Sequence, residues 1–371
     1  MKITRIEWCG YRIPFKSHYV TSNGRAEYRY GLLLRLQTDD GITGVGEASP
    51  VGAGDEQEVA QIHQEMLSLS PVLLNARIDG EPALHSISSS LSSASAPVRF
   101  SIESALYDLL GKAQRRTVVA ILGGTPRPVA VNALIATDSP KQAARYAQEA
   151  VAAGFTTLKI KVGAPRLEDD IRLLAAVRQE AGPQITIRID ANQAWNVKQA
   201  IKAITTLERF GLEYVEQPVL ARYIRGLAEV RVAVSTPIAA DEALSSTSDA
   251  QRLIQSQAAD IFIIKAARIG LLEALEILAL ARKAGKAVIV TSSLEAGVGI
   301  AASLHLAALL PETSPACGLA TGPLLESDLL IDHLVLSHGL LLFPNGHGLG
   351  VVLDEEALRR YSIGITGSVS A

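Results

Sequence analysis

TTLKIKVGAPRLEDDIRLLAAVRQEAGPQITIRIDANQAWNVKQAIKAITTLERFGLEYVEQP, residues 156–218, decides the fold. Three short β-branched runs (Thr156–Lys161, Ile185–Asp190 and Glu213–Glu216) are separated by two long helical patterns. Strands alternating with helices make parallel βαβ units. The same grammar extends both ways. Upstream lies Val129–Ala136; downstream lie Pro237–Asp241, Asp260–Lys265, Ala287–Thr291 and Ala316–Leu319. Eight such units predict a closed barrel, with a doubly wound open sheet as the competitor.

The rest of the chain reads differently. Ile3–Pro14, Tyr30–Thr38 and Ile42–Glu47 are strand-like, and Asp39-Asp40-Gly41 supplies a hairpin turn between the last two. Helical patterns follow over Glu56–Leu69 and Val98–Gln114. Between them Ser86–Ser95 is either linker or a short helix carried by Ile87, Leu91 and Val98. After Thr321 the rhythm is lost, with a short strand expected at Val351–Leu353 and Gly-rich turns over Gly346–Gly350. We expect this tail to return to the N-terminal part. The division is then 1–127 for an α+β capping domain, 128–322 for the barrel and 323–371 for the returning segment.

Length and composition agree with one barrel plus a smaller domain: 371 residues, 48% hydrophobic. A net charge of −3 suggests neither a nucleic-acid partner nor an anionic membrane. No apolar run of spanning length and no signal-peptide core is present, so a cytoplasmic location is expected. Two cysteines, Cys9 and Cys317, make no disulfide framework.

In a parallel barrel the chemistry sits at the C-terminal ends of the strands. Those ends are Lys161, Asp190, Glu216, Asp241, Lys265 and Thr291, at intervals of 29, 26, 25, 24 and 26 residues, about one βα unit each. A single Asp or Lys there is ordinarily a cap or a solvated charge, but Glu and Lys are poor caps, and five charged ends in succession need another reason. Three converging carboxylates repel unless a hard divalent cation such as Mg²⁺, Ca²⁺ or Mn²⁺ lies among them. A lysine beside that cation and a second ammonium loses its proton more readily and can serve as a base. Lys159 lies two residues before Lys161, hence on the same face, and can be that ammonium.

As a set, LKIKVG (158–163), IDAN (189–192), VEQP (215–218), ADE (240–242) and IIKAARIG (263–270) resemble the enolase superfamily, in particular its muconate-lactonizing-enzyme subgroup. GITGVGEASP (41–50) resembles that subgroup's N-terminal capping domain. The resemblance implies a modified TIM barrel, (β/α)7β, with an α+β capping domain built from N- and C-terminal segments. It implies Mg²⁺ (or Mn²⁺) on Asp190, Glu216 and Asp241, with Lys161 as base and Lys265 across the substrate. Asn192 would orient a ligand or bind the carboxylate. Two departures are visible: Ile263-Ile264 where Asn-Ile often precedes the lysine, and Leu271 where a second Gly often follows Gly270.

The resemblance further implies a small-molecule carboxylate substrate and a homo-oligomer. The candidate reactions are dehydration to o-succinylbenzoate (a step of menaquinone biosynthesis), racemisation of N-succinylamino acids, dipeptide epimerisation and muconate cycloisomerisation. Residues 291–308 and 316–329 look like o-succinylbenzoate synthases, as does Arg268. The eighth strand end, Cys317-Gly318-Leu319-Ala320-Thr321, lacks the Asp-x-Asp that dipeptide epimerases tend to place there. The expectation is therefore an o-succinylbenzoate synthase; a catalytically silent binding protein is the alternative from another class. The loops Tyr19–Arg25 (with Asn23 and Arg25) and Pro50–Glu56, together with Ser292 and Ser293, are expected to read the succinyl end. Glu295 is either a substrate contact or a cap near Gly297. Cys317 and Trp195 are expected to be packing.

Overall fold

A computed structural model describes residues 1–21 and 24–371, without the side chains of residues 17–25. The chain opens with three antiparallel strands, β1 (Ile3–Thr21), β2 (Gly24–Thr38) and β3 (Thr43–Ala48), followed by α1 (Glu56–Leu73), α2 (Glu81–Ser90), α3 (Ala96–Gln114) and the short α4 (Val118–Ile121). The serine stretch therefore divides between the end of α2 and a short connection, with Leu84 of α2 buried. Helix α3 is the hub of this layer: thirteen of its residues are buried, and β3 lies directly on it. That approach depends on glycine, because a Cβ at Gly46 would stand 1.9 Å from the Ser101 carbonyl oxygen.

After β4 (Val129–Ala130), which stands outside the barrel, the barrel strands are β5 (Ala133–Ile135), β6 (Thr157–Lys161), β7 (Thr186–Asp190), β8 (Leu212–Glu216), β9 (Ile238–Ala240), β10 (Ile261–Ile264) and β11 (Ala287–Val290). From β5 to β11 they form one parallel sheet in chain order. The intervening helices are α5 (Pro140–Ala152), α6 (Leu167–Ala181), α7 (Val197–Leu207), α8 (Ile224–Ala233), α9 (Thr247–Gln255), then α10 (Ala266–Ile269) with α11 (Leu271–Lys283), and finally α12 (Gly297–Ala307) after β11. The eighth staves are two residues long. Cys317 bridges Val131 and Gly318 bridges Thr291, in parallel, so Cys317-Gly318 joins β11 back to the start of the sheet.

Two expectations for the barrel need correction. Val129–Ala136 is not one strand: Val129–Ala130 pairs antiparallel with β13 (Leu340–Leu341), itself paired with β12 (Leu336–Ser337), and only Ala133–Ile135 enters the barrel. Ala316–Leu319 contributes bridges rather than a strand, because the closing ladder is that short. In the tail, Val351–Leu353 likewise forms no strand, only a Leu330–Leu353 bridge. Past α13 (Glu355–Tyr361), β14 (Ser362–Ser370) lies antiparallel on β1.

Alternation along the strands sorts the two cores. Tyr214, Ala239, Ile261, Ile263 and Ile289 form a separate buried cluster, the filling of the barrel interior, while the much larger cluster lies between sheet, helices and capping layer. At the end away from the strand termini, Arg188 is fully buried, stacks 4.8 Å from the Tyr214 ring and donates to the Ala316 carbonyl at 2.7 Å. The interior is thus filled with side chains below the charged ends of the strands. Among the described residues no helix is long and apolar enough to cross a membrane.

Candidate active site

Register brings the strand ends together. Lys161 pairs with Asp190 and Asp190 with Glu216, so three successive strands present charged groups at one level. Ala239 pairs with Glu216, and Asp241 follows two residues later on the same side of β9. Lys265 directly follows β10. Since β7, β8 and β9 lie between β6 and β10, the two lysines face each other across the acids.

All three acids are buried. Lys159 Nζ lies 2.6 Å from Glu216 Oε1 and 2.9 Å from Asp190 Oδ2. Lys161 Nζ is 2.7 Å from the same Asp190 oxygen and 2.6 Å from Asn192 Oδ1. On the far side, Lys265 Nζ lies 2.6 Å from Asp241 Oδ2, while Arg268 donates to Asp241 Oδ1 at 2.8 Å and to the Asp241 carbonyl at 2.5 Å. Arg268 therefore grips an acid. Asn192, at φ +41°, donates to Glu242 Oε1 at 3.1 Å and so is held from both sides.

The electrostatics follow from this arrangement. Burial alone would neutralise each group, but the lysines reverse that for Asp190, held well below the carboxylate range chiefly by Lys159 and Lys161. Lys265 and Arg268 do the same for Asp241. Glu216 goes the other way, up to about 7, through burial and repulsion from Asp190. Burial would also lower the Lys159 ammonium, yet Asp190 and Glu216 hold it well above the ordinary lysine value. Lys159 is thus a fixed positive charge that shares Asp190 Oδ2 with Lys161.

The donor set fits a hard divalent cation. Three buried carboxylates offer oxygen ligands, Glu216 Oε2 has no hydrogen-bond partner, and Asp190 and Asp241 both repel Glu216, which a cation among them would relieve. In this structure each acid instead turns toward a basic side chain, and no closed three-acid cluster forms among the described residues.

The other sequence candidates scatter. Ser292 Oγ is 2.7 Å from Thr321 Oγ1, linking the seventh and eighth strand ends, and Ser293 Oγ is buried without a partner. Glu295 accepts from Ser293 N at 2.7 Å and its Oε1 is unpartnered. Glu295 does not cap α12, because Glu47 of β3 does so from the other domain, accepting from Ala296 N and Gly299 N, each at 2.8 Å. Glu103 of α3 acts likewise on α11, accepting from Leu271 N at 2.6 Å and Leu272 N at 3.1 Å. Two buried carboxylates thus dock the capping layer onto the helices that follow the sixth and seventh strand ends. Sequence reading missed both; the only signal is an acid inside an otherwise apolar strand or helix.

The expected Tyr19–Arg25 loop is largely strand. Tyr19 pairs with Ala26, Val20 with Arg25 and Thr21 with Gly24. Asn23 and the Arg25 side chain lie outside the described residues. Of Pro50–Glu56, residues 50–55 form a loop and Glu56 opens α1; the loop is tied down by buried Arg29, which donates to the Pro50 carbonyl at 2.9 Å and to that of Gly52. Trp195 and Cys317 are buried among apolar residues, and burial pushes the Cys317 thiol up to about 11.

Glu295 yields a pH prediction. Burial, with Glu47 nearby, raises it from 4.5 to about 7. The folded state therefore favours the protonated acid: the associated stability is full below pH 4.5 and is lost as pH rises through 7, on the order of 3 kcal/mol. Glu295→Gln should raise the urea midpoint at pH 8 and leave it nearly unchanged at pH 4. Equal midpoints at pH 8 would show that the carboxylate has a compensating partner.

Comparison with known proteins agrees with this architecture. Residues 142–357 match the enolase C-terminal domain-like family, and residues 10–123 match the mandelate racemase / muconate lactonizing enzyme N-terminal domain. A hydrophobic dipeptide epimerase of Enterococcus faecalis is 32% identical over 83% of this chain and 87% of its own. An o-succinylbenzoate synthase of Thermobifida fusca is 42% identical, over 59% of this chain and 68% of its own. The crystal structure of a Cytophaga hutchinsonii dipeptide epimerase with Mg and D-Ala-L-Val superposes with a TM-score of 0.90 at 29% identity, covering all of both chains. The chain belongs to the enolase superfamily, within its muconate-lactonizing-enzyme subgroup, and is an enzyme of that isomerase and lyase group.

Proposed function

We propose that the chain removes the proton α to a substrate carboxylate, with Lys161 as base and Mg²⁺ held by Asp190, Glu216 and Asp241, and that its reaction is the dehydration forming o-succinylbenzoate. The observation that carries the half-reaction is the opposition of Lys161 and Lys265 across three buried acids. When bound, Mg²⁺ supplies a fixed positive field where negative charge builds on the substrate carboxylate. Lys161 Nζ takes the α-proton, and the electron pair of that C–H bond is delocalised into the substrate carboxylate; the pair then forms the C=C bond as the β-hydroxyl departs, taking the proton back from the same Nζ to leave as water. Lys265, on the opposite face, stabilises the anion. Asn192 holds Lys161 Nζ in place from just past the end of β7.

The eighth strand end supports dehydration over dipeptide epimerisation. Residues 317–321 contain no acid, so a substrate ammonium has no counter-charge there. Of the acids in the neighbouring segments, Asp328 commits Oδ1 to Gly297 N and Leu329 N, and Glu295 is pushed toward neutrality. Dipeptide epimerisation remains the second reading, favoured by the greater coverage of the epimerase relatives.

The test is a side-by-side assay with Mg²⁺ of the β-hydroxy ring-acid precursor of o-succinylbenzoate, N-succinylamino acids and a dipeptide panel. The precursor should be preferred over every dipeptide by at least about 100-fold in kcat/KM, about 2.7 kcal/mol. Dipeptide epimerisation as the fastest reaction would overturn the dehydration. Racemisation of N-succinylamino acids uses the same two lysines from opposite faces, so it is read from product chirality.

A further inference from the structure

We infer that Gln217 is a positioning residue for the cation site: its side-chain oxygen sets the place of Asp241 by accepting two backbone N–H groups of the bend that carries it. This rests on the reading of Asp241 as a ligand. Gln217 immediately follows Glu216 and has no exposed surface. Its Oε1 accepts from Asp241 N at 3.0 Å and from Ala243 N at 3.1 Å. Its Nε2 donates to the Val219 carbonyl at 2.9 Å, which fixes the amide's orientation. Its backbone N–H donates to the Ala239 carbonyl at 2.9 Å, and its carbonyl accepts from Gln193 N at 2.8 Å. One residue therefore ties together the ends of the strands that carry all three acids.

Two features separate this from ordinary packing. First, Gln217 lies at φ +38°, a left-handed conformation unfavourable for glutamine, and such conformations persist where surrounding structure enforces them, often at functional sites. Second, the bonds it makes are to the backbone of Asp241 itself, so the loss would move a ligand rather than merely open a cavity. Residues that orient ligands in this way typically govern metal affinity by 10- to 100-fold.

Gln217→Asn isolates the effect. Asparagine tolerates the left-handed region better than glutamine, so the backbone is no worse off. Its amide oxygen is drawn back by one methylene, about 1.5 Å, beyond hydrogen-bond reach of both N–H groups. Gln217→Glu keeps an oxygen at full reach and, protonated as complete burial favours, still donates to the Val219 carbonyl. Mg²⁺ affinity would be measured calorimetrically, without substrate, for the parent, both variants and Asp241→Asn, with thermal unfolding of each. We expect Gln217→Asn to fold and bind Mg²⁺ about tenfold or more weakly, and Gln217→Glu to stay within about threefold of the parent or bind more tightly. The proposal is overturned if Gln217→Asn binds as the parent does while Asp241→Asn does not, if Gln217→Glu falls as far as Gln217→Asn, or if Gln217→Asn fails to fold, which would make the residue a requirement of the barrel. If Asp241→Asn also binds as the parent does, the ligand reading fails and the inference falls with it.

Discussion

Replacing Lys161 by alanine is expected to lower turnover by about two to four orders of magnitude with little loss of folded stability. The size is that of removing a positioned general base. The sparing of the fold follows from geometry. The Lys161 side chain keeps 28% of its surface exposed, so truncation opens no closed cavity. Asp190 is not orphaned either, because Lys159 remains 2.9 Å away. Stopped turnover with an unchanged unfolding midpoint would be the signature. Retained dehydration at near-parent rate would remove Lys161 as base. Lys265→Ala should also leave a folded protein, since Arg268 still pairs with Asp241.

Asp241→Asn carries the second large effect. The substitution removes one of three anionic ligands, and Mg²⁺ affinity should fall by at least about tenfold, about 1.4 kcal/mol. It also leaves Lys265 and Arg268 facing a neutral amide, so the variant should be less stable at neutral pH than the parent without metal. The sign of the pH dependence follows. Asp241 is held below its ordinary 3.8, so its stabilisation is present above that pH and lost as pH falls further. The parent and Asp241→Asn should therefore converge in stability in acid. A calorimetric titration with unchanged Mg²⁺ affinity would take Asp241 out of the ligand set.

Much of this site is legible in one dimension because a parallel barrel repeats. Each βα unit returns the chain to the same rim, so charged residues about 25 apart in sequence become lateral neighbours in space, as the pairing of Lys161 with Asp190 and of Asp190 with Glu216 demonstrates. Whatever breaks that periodicity is invisible to it. Glu47 and Glu103 reach helices some 250 and 168 residues away along the chain. No spacing rule connects those positions, because the contact is created by docking two layers. Gln217 was hidden for a different reason. It sits between Glu216 and Pro218 in a recognisable motif, and its role lies in backbone bonds that side-chain chemistry does not announce.

Short or composite elements were hard for the same physical reason. Val129–Ala136 is continuous in propensity, yet its first two residues pair with β13 and only Ala133–Ile135 joins the barrel. Cys317-Gly318 closes the barrel with single bridges, too few to leave a strand-length pattern. Conversely, Tyr19–Arg25 reads as a loop because strand propensity is interrupted, although its flanks are paired across β1 and β2. Only tertiary pairing settles such segments.

The reaction proposed is proton abstraction next to a carboxylate by Lys161 with Mg²⁺ present. Its most direct test is exchange of the substrate α-proton for solvent deuterium, followed by NMR on a panel of β-hydroxy, N-succinyl and dipeptide carboxylates. At least one member should exchange with the parent protein and Mg²⁺, the exchange should stop on chelation, and Lys161→Ala should not restore it at any metal concentration. No exchange anywhere on the panel, or exchange that survives Lys161→Ala, would contradict the account.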